Sequence, residues 1–188
     1  MKPKNEMDTK LILAGVGGQG VLFATKVFSE TALALGYEIL GSETHGMSRR
    51  GGSVVSHLKI GACESPLVRQ GTADVLLAFD GQEAYRTLGF VKRDGLCFVN
   101  NPRDASWDRG IDGYLEKNDI AAYTCAADEI ALGVGSPRSA NLALIGYALS
   151  IPKTPFDYEV IRATVERISP PRFTAANLKA LDAGYRRE

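Results

Sequence analysis

LILAGVGGQGVLFATKVFSETALALG, residues 11–36, starts as an apolar run, breaks at four glycines and then becomes periodic. Leu11 to Ala14 are continuously apolar, as suits a short strand, and Val21, Ala24, Phe28, Ala32 and Leu35 recur close to helical period. The stretch therefore reads as strand, tight glycine turn and helix, with Gly36 closing the helix. Gly15, Gly17 and Gly20 fit G-x-G-x-x-G at that junction, where small residues let a ligand phosphate approach unpaired backbone N–H groups. The same spacing serves equally as a tight turn that packs helix to strand, or holds a neighbouring chain, with no nucleotide present.

Downstream, Tyr37 to Gly41 read as a second strand, and a second glycine-rich stretch follows, SETHGMSRRGGSVVSHLKIG at 42–61. Within it Val54, Leu58 and Ile60 share one face of a strand, and Ser53, Val55, His57 and Lys59 the other. Arg49 and Arg50 make this loop locally cationic. A guanidinium withdrawn from water without an anion costs several kcal/mol. A charge-assisted hydrogen bond, by contrast, is favourable by about 1.5–3 kcal/mol. Each ordered arginine is thus expected to find an acceptor: Glu43 within the chain, a ligand phosphate, a substrate carboxylate or an acidic partner surface.

DVLLAFD (74–80) and GLCFVN (95–100) are apolar throughout, the pattern of strands covered on both faces, as in parallel sheets flanked by helices. Residues 82–91 form a short helix between them. Residues 101–119 are polar and turn-rich without a clear period and are expected to be a surface excursion with one short strand. Residues 120–125 make a further strand. Ser136 and Pro137 are expected to cap and open a helix over 138–149, with two more helices starting at Pro155 and Thr174. Alternating strands and helices predict one α/β domain over residues 1–188, a three-layer α/β/α sandwich with a mostly parallel central sheet.

The 22 basic and 22 acidic residues cancel, which argues against a nucleic-acid or membrane-surface binder. A chain of 188 residues buries roughly 70% of its unfolded surface and needs neither metal nor disulfide to hold it. Cys63, Cys97 and Cys125 are odd in number and widely spaced, too few for a four-thiolate cluster within the chain. No apolar run approaches the ~20 residues that span a bilayer, and MKPKNEMDTK lacks a signal peptide's apolar centre, so a cytoplasmic protein is expected.

Asp80-Gly81 and Asn100-Asn101 match the thiamine-diphosphate motif only in part, because Phe79 stands in place of its first glycine and the spacing is short. Asp80 and Asn100 are expected instead as structural hydrogen-bonders at the carboxyl ends of two central strands, the edge where α/β domains bind ligands. His45 and His57 lack carboxylate or cysteine neighbours at metal spacing, so no metal site is expected. A stand-alone dinucleotide-binding oxidoreductase, using the glycine turn and Glu43 as the acidic residue after the second strand, is the competing function.

Read together, the two glycine-rich stretches resemble the gamma subunit or domain of 2-oxoacid:ferredoxin oxidoreductases, particularly the indolepyruvate type. GVGGQG, joined to H-G-M-S-x-R-G-G at this distance, carries the likeness, and SPRSANLALIGYAL and FTAANLKALDAGY extend it over almost the whole chain. The resemblance implies a non-catalytic component of a complex that oxidatively decarboxylates a 2-oxoacid to an acyl-CoA and reduces ferredoxin. Thiamine diphosphate, Mg and iron–sulfur clusters would lie on partner chains, with coenzyme A as co-substrate and the large catalytic subunit as partner. In isolation the chain is open to pairing with itself.

By the same likeness no residue is catalytic or metal-binding. Gly15, Gly17, Gly18, Gln19 and Gly20 would form a turn facing the coenzyme A path or the partner. Glu43, His45, Gly46, Met47, Arg49, Arg50, Gly51 and Gly52 would form the second loop beside it. Arg49 stands where many indolepyruvate-type members would carry Gln, which keeps pyruvate, 2-oxoglutarate and branched-chain 2-oxoacids open as substrates.

Overall fold

Leu11 and Leu13 face one side of the first strand and Ile12 and Ala14 the other, and all four are fully buried. A strand covered on both faces sits at the centre of a sheet, which is where this one lies. The computed structural model describes residues 8–46, 51–102, 107 and 109–187, with the side chains of His45 and Arg109 outside the description. Its strands are β1 (Thr9–Val16), β2 (Ile39–His45), β3 (Ser53–Ile60), β4 (Ala73–Ala78), β5 (Val91–Asn100) and β6 (Ala121–Cys125). They form one sheet in the order β2-β3-β1-β4-β5-β6, and β3 alone runs against the rest.

Helix α1 (Val21–Ala34) follows β1, α2 (Gly81–Thr87) follows β4, and α3 (Arg109–Lys117) precedes β6. Four more come after β6: α4 (Ala127–Gly133), α5 (Ala140–Leu149), α6 (Tyr158–Ile168) and α7 (Pro171–Arg186). Leu11, Leu13, Leu77 and Phe98 pack one sheet face against α1, α5, α6 and α7. Ile12, Ala14, Leu76 and Cys97 pack the other face against Ala84, Leu88 and Leu115, on the side of α2 and α3. These are the three layers that the strand and helix alternation predicts.

Several local expectations shift. The second strand runs on through Glu43 to His45, because antiparallel pairing with β3 carries it into the polar stretch. Residues 109–117 form α3 instead of a short strand. Gly110 and Gly113 mask its period, and Leu115 is the one buried residue among its described side chains. Pro137–Ser139 make a single 3-10 turn, and the helix proper starts at Ala140. Ser136 gives no cap to that turn; its hydroxyl meets Ser139 Oγ at 2.7 Å. Helix α6 begins at Tyr158 because Asp157 Oδ1 accepts from Val160 N, and α7 begins earlier than expected, at Pro171. Helix α4 is one that the residue pattern does not announce.

Candidate functional site at the carboxyl edge of the sheet

The glycine turn leaves β1 at its carboxyl end. Gln19 holds it closed twice over, donating its amide to Val16 O at 3.0 Å and accepting from Val16 N through Oε1 at 2.7 Å. Gly20 then enters α1 in the left-handed region, φ 78°, and no side chain caps the helix. Asn141, at the start of α5, donates Nδ2 to Gly20 O at 3.1 Å. A Cβ on Gly20 would come within 2.4 Å of that nitrogen, so the turn and α5 are fitted to each other through the missing side chain.

The second glycine-rich segment lies against this turn. Gly17 N donates to Gly52 O at 2.9 Å, and Gly46 N donates to Ser53 O at 2.7 Å. Gly51 takes a left-handed φ of 78° with open space where its Cβ would stand, and Gly18 is equally open at φ 108°. Gly15, by contrast, is enclosed by Gln19, Val21 and Phe79. Glu43 is exposed near the end of β2, with the His45 backbone two residues on. Met47, Arg49 and Arg50 lie outside the described residues. The structure therefore brings Gly17 and Gly52 into direct contact and leaves Glu43 at the sheet's outer edge.

Three further groups shape this edge. Glu83 is buried in the first turn of α2, where it accepts from Ser53 Oγ and from Arg86 Nη1, tying the second glycine segment to α2. Asp80 caps α2 by accepting from Gln82 N and Glu83 N. Asn100 donates to Phe79 O and Asp128 Oδ2 and accepts from Ala127 N, which joins β4, β5 and α4. Both residues are engaged within the fold as structural hydrogen-bonders.

Two adjoining cavities open here. One of about 300 Å³ runs past Gly18, Gln19, Asn100 and Asp128; the other, about 520 Å³, lies against Phe23, Phe173 and Asn177. Pro137, Arg138 and Asn141 border both. Arg138 is exposed and makes no ion pair with a described residue, so it is a cation facing the crevice. Arg138, Asn141 and Glu83 lie outside the set of site residues that the sequence predicts. SPRSAN signalled the first two only through the likeness, because nothing local places α5 beside a turn 121 residues earlier.

The cysteines fit no shared cluster. Cys97 is fully buried on the α2 side, where burial pushes its thiol up to about 12, and Cys125 belongs to the opposite core. The sheet order also separates the two parts of the expected dinucleotide site. With β3 between β1 and β2, Glu43 is not beside the glycine turn as the ribose-binding acid of such a fold would be.

The family described as pyruvate ferredoxin/flavodoxin oxidoreductase matches residues 10–187. The chain belongs to that family. Among members of this oxidoreductase family, indolepyruvate oxidoreductase subunit IorB of Archaeoglobus fulgidus is 31% identical, across 95% of this chain and 94% of that one. Its Pyrococcus horikoshii counterpart is also 31% identical, across 94% of each. Ketoisovalerate oxidoreductase subunit VorA of Methanothermobacter marburgensis is 30% identical, across 94% of this chain but 36% of its own length. The crystal structure of a keto/oxoacid ferredoxin oxidoreductase gamma subunit from Geobacter sulfurreducens superposes with a TM-score of 0.74 at 22% identity, covering 95% of this chain and 97% of that one. The last likeness concerns the fold.

Proposed function

We propose that this chain is the small, non-catalytic subunit of an arylpyruvate-type 2-oxoacid:ferredoxin oxidoreductase and works in the cytoplasm beside a larger catalytic chain. In the reaction the bond between the carboxylate and C2 of the 2-oxoacid breaks and carbon dioxide leaves. Two electrons pass singly to ferredoxin, and the acyl group joins the sulfur of coenzyme A with loss of the thiol proton. Thiamine diphosphate with its magnesium, and the iron–sulfur clusters, supply the decarboxylation and electron transfer from partner chains. The engagement of Asp80 and Asn100 within the fold, and the placement of Cys97 and Cys125 in opposite cores, support that division.

The observation that carries the reading is the Gly17–Gly52 hydrogen bond, which joins the two segments of the family likeness into one surface at the carboxyl edge of the sheet. The N-terminus of α1, which no side chain caps, together with Arg138 at the cavity, suits the phosphates of coenzyme A or a carboxylate of the partner. Arg49 and Arg50, which fall between Gly46 and Gly51 in the sequence, are proposed for the same task. The relatives named for indolepyruvate favour an arylpyruvate, and those named for ketoisovalerate and 2-oxoglutarate supply the competitors.

The test is a substrate panel on the reconstituted two-chain complex with coenzyme A and a viologen acceptor. Indolepyruvate is expected to show the highest kcat/KM; a preference for pyruvate, 2-oxoglutarate or ketoisovalerate would reassign the substrate. Equilibrium dialysis of the isolated chain against NAD(H), NADP(H) and FAD checks the competing function, and tight binding of any of them would revive it.

A further inference from the structure

Ser56 Oγ is the one buried side-chain oxygen or nitrogen, among the described residues, that has no hydrogen-bond partner. Such a group bears its desolvation cost with nothing to offset it, so its surroundings call for an explanation. It borders a cavity of about 360 Å³ between α1 and the sheet edge, with Thr25, Ser29, Ile39, Glu43 and Leu58. Glu43 pairs directly across from Ser56 in the β2–β3 register, is exposed, and makes no ion pair with a described residue. Gly41, paired with Leu58, carries no side chain to close the cavity between them. The site thus combines the apolar side chains of Ile39 and Leu58 with the hydroxyl-bearing Thr25, Ser29 and Ser42, one carboxylate and the orphaned Ser56 hydroxyl.

The backbone beside it is open as well. β2 is the outermost strand, with a neighbour on one side only among the described residues. The bonds from Gly46 N to Ser53 O and from Gly61 N to Glu38 O mark the hydrogen-bonded pairs. Because such pairs alternate along an antiparallel ladder, the N–H and C=O groups of Ile39, Gly41 and Glu43 point away from β3. The same three residues line the cavity with their side-chain face.

We infer that β2 and this cavity form a docking edge for an extended segment of the larger partner chain, one that inserts an arginine or lysine side chain. The added strand pairs with the outward groups of Gly41 and Glu43, the mode in which main-chain bonds give affinity and pockets give specificity. Its basic side chain lays an aliphatic stem over Ile39 and Leu58 and donates to the Glu43 carboxylate and, once the buried hydroxyl turns toward the cavity, to Ser56 Oγ. Charge selects this occupant over a second copy of the chain. Residues 37–46 carry Glu38 and Glu43 and no Lys or Arg, so two such edges would bring like charges together. The inference rests on the proposed function in one respect, that a larger chain binds this one.

Hydrogen exchange on the isolated chain and on the co-expressed two-chain complex tests it, together with the variants Glu43→Lys and Ser56→Ala. The Gly41 and Glu43 amides are expected to exchange at least fivefold more slowly in the complex. Glu43→Lys is expected to raise the dissociation constant at least fivefold, and Ser56→Ala to weaken the complex without lowering the melting temperature of the isolated chain. Slowing of less than fivefold, or Glu43→Lys binding within fivefold of the unaltered chain, would overturn the docking edge while leaving the proposed function standing. Failure of the unaltered chains to associate at all would overturn both.

Discussion

Gly20 shows how one missing side chain sets the geometry of the site. Its φ of 78° suits glycine, and its Cβ position is already occupied by the amide of Asn141. Gly20→Ala adds the strain of a left-handed alanine, about 1–2 kcal/mol, before any displacement of Asn141. For a domain of this length that predicts a fall in Tm of roughly 2–8 °C in a thermal melt, and a melting temperature equal to that of the unaltered chain would contradict the fit. His57 makes a different prediction. Buried under Phe90, its Nδ1 accepts from Val68 N at 3.2 Å. Burial, and secondarily the Lys59 charge, lower its pKa. The unfolded chain therefore takes up a proton, near the ordinary histidine value of about 6.5, that the folded chain resists. The stability this group contributes is present above that pH and lost as pH falls through the lower folded value. Melts between pH 7 and 5 should show Tm declining with acid, with a shallower slope in His57→Asn, which retains an acceptor; an unchanged slope would exclude His57 as the source.

At the scale of elements, α5 and α7 are held together by two glycines. A Cβ on Gly146 would lie 2.0 Å from Leu181 O, and one on Gly184 the same distance from Ala143 O. Both obstacles are backbone, so neither can be relieved by rotating a side chain. Gly146→Ala or Gly184→Ala must push the helices apart, at about 1–3 kcal/mol or more. The N-terminal part of α7 supplies Phe173 and Asn177 to the larger cavity, so the same variants should alter that cavity. Thermal melts paired with hydrogen exchange over α7 check this; retention of both stability and protection would refute the close crossing. Elements with a strong local signal were legible in the residues. The β1–turn–α1 unit follows from a change of period across four glycines, and β4 and β5 from unbroken apolar runs. Helix α3 was not legible, because its glycines and narrow buried seam imitate a loop. Pro155 suggests an earlier start for α6 than the one set by Asp157, which provides the cap.

The whole molecule depends on contacts that no local pattern encodes. Insertion of β3 between β1 and β2 is a pairing choice between distant segments, and it separates Glu43 from the glycine turn that the residue order suggested it would serve. The same long-range packing sets Arg138 and Asn141 beside that turn. Three separated cysteines and a broken thiamine motif lead to the expectation that cofactors are held on partner chains, and the proposed function builds on it. The direct measurement is 2-oxoacid-dependent viologen reduction, with coenzyme A present, by the purified chain alone, by the larger chain alone and by the two together. Turnover is expected only from the combination; sustained turnover by this chain alone would contradict its proposed role as a non-catalytic subunit.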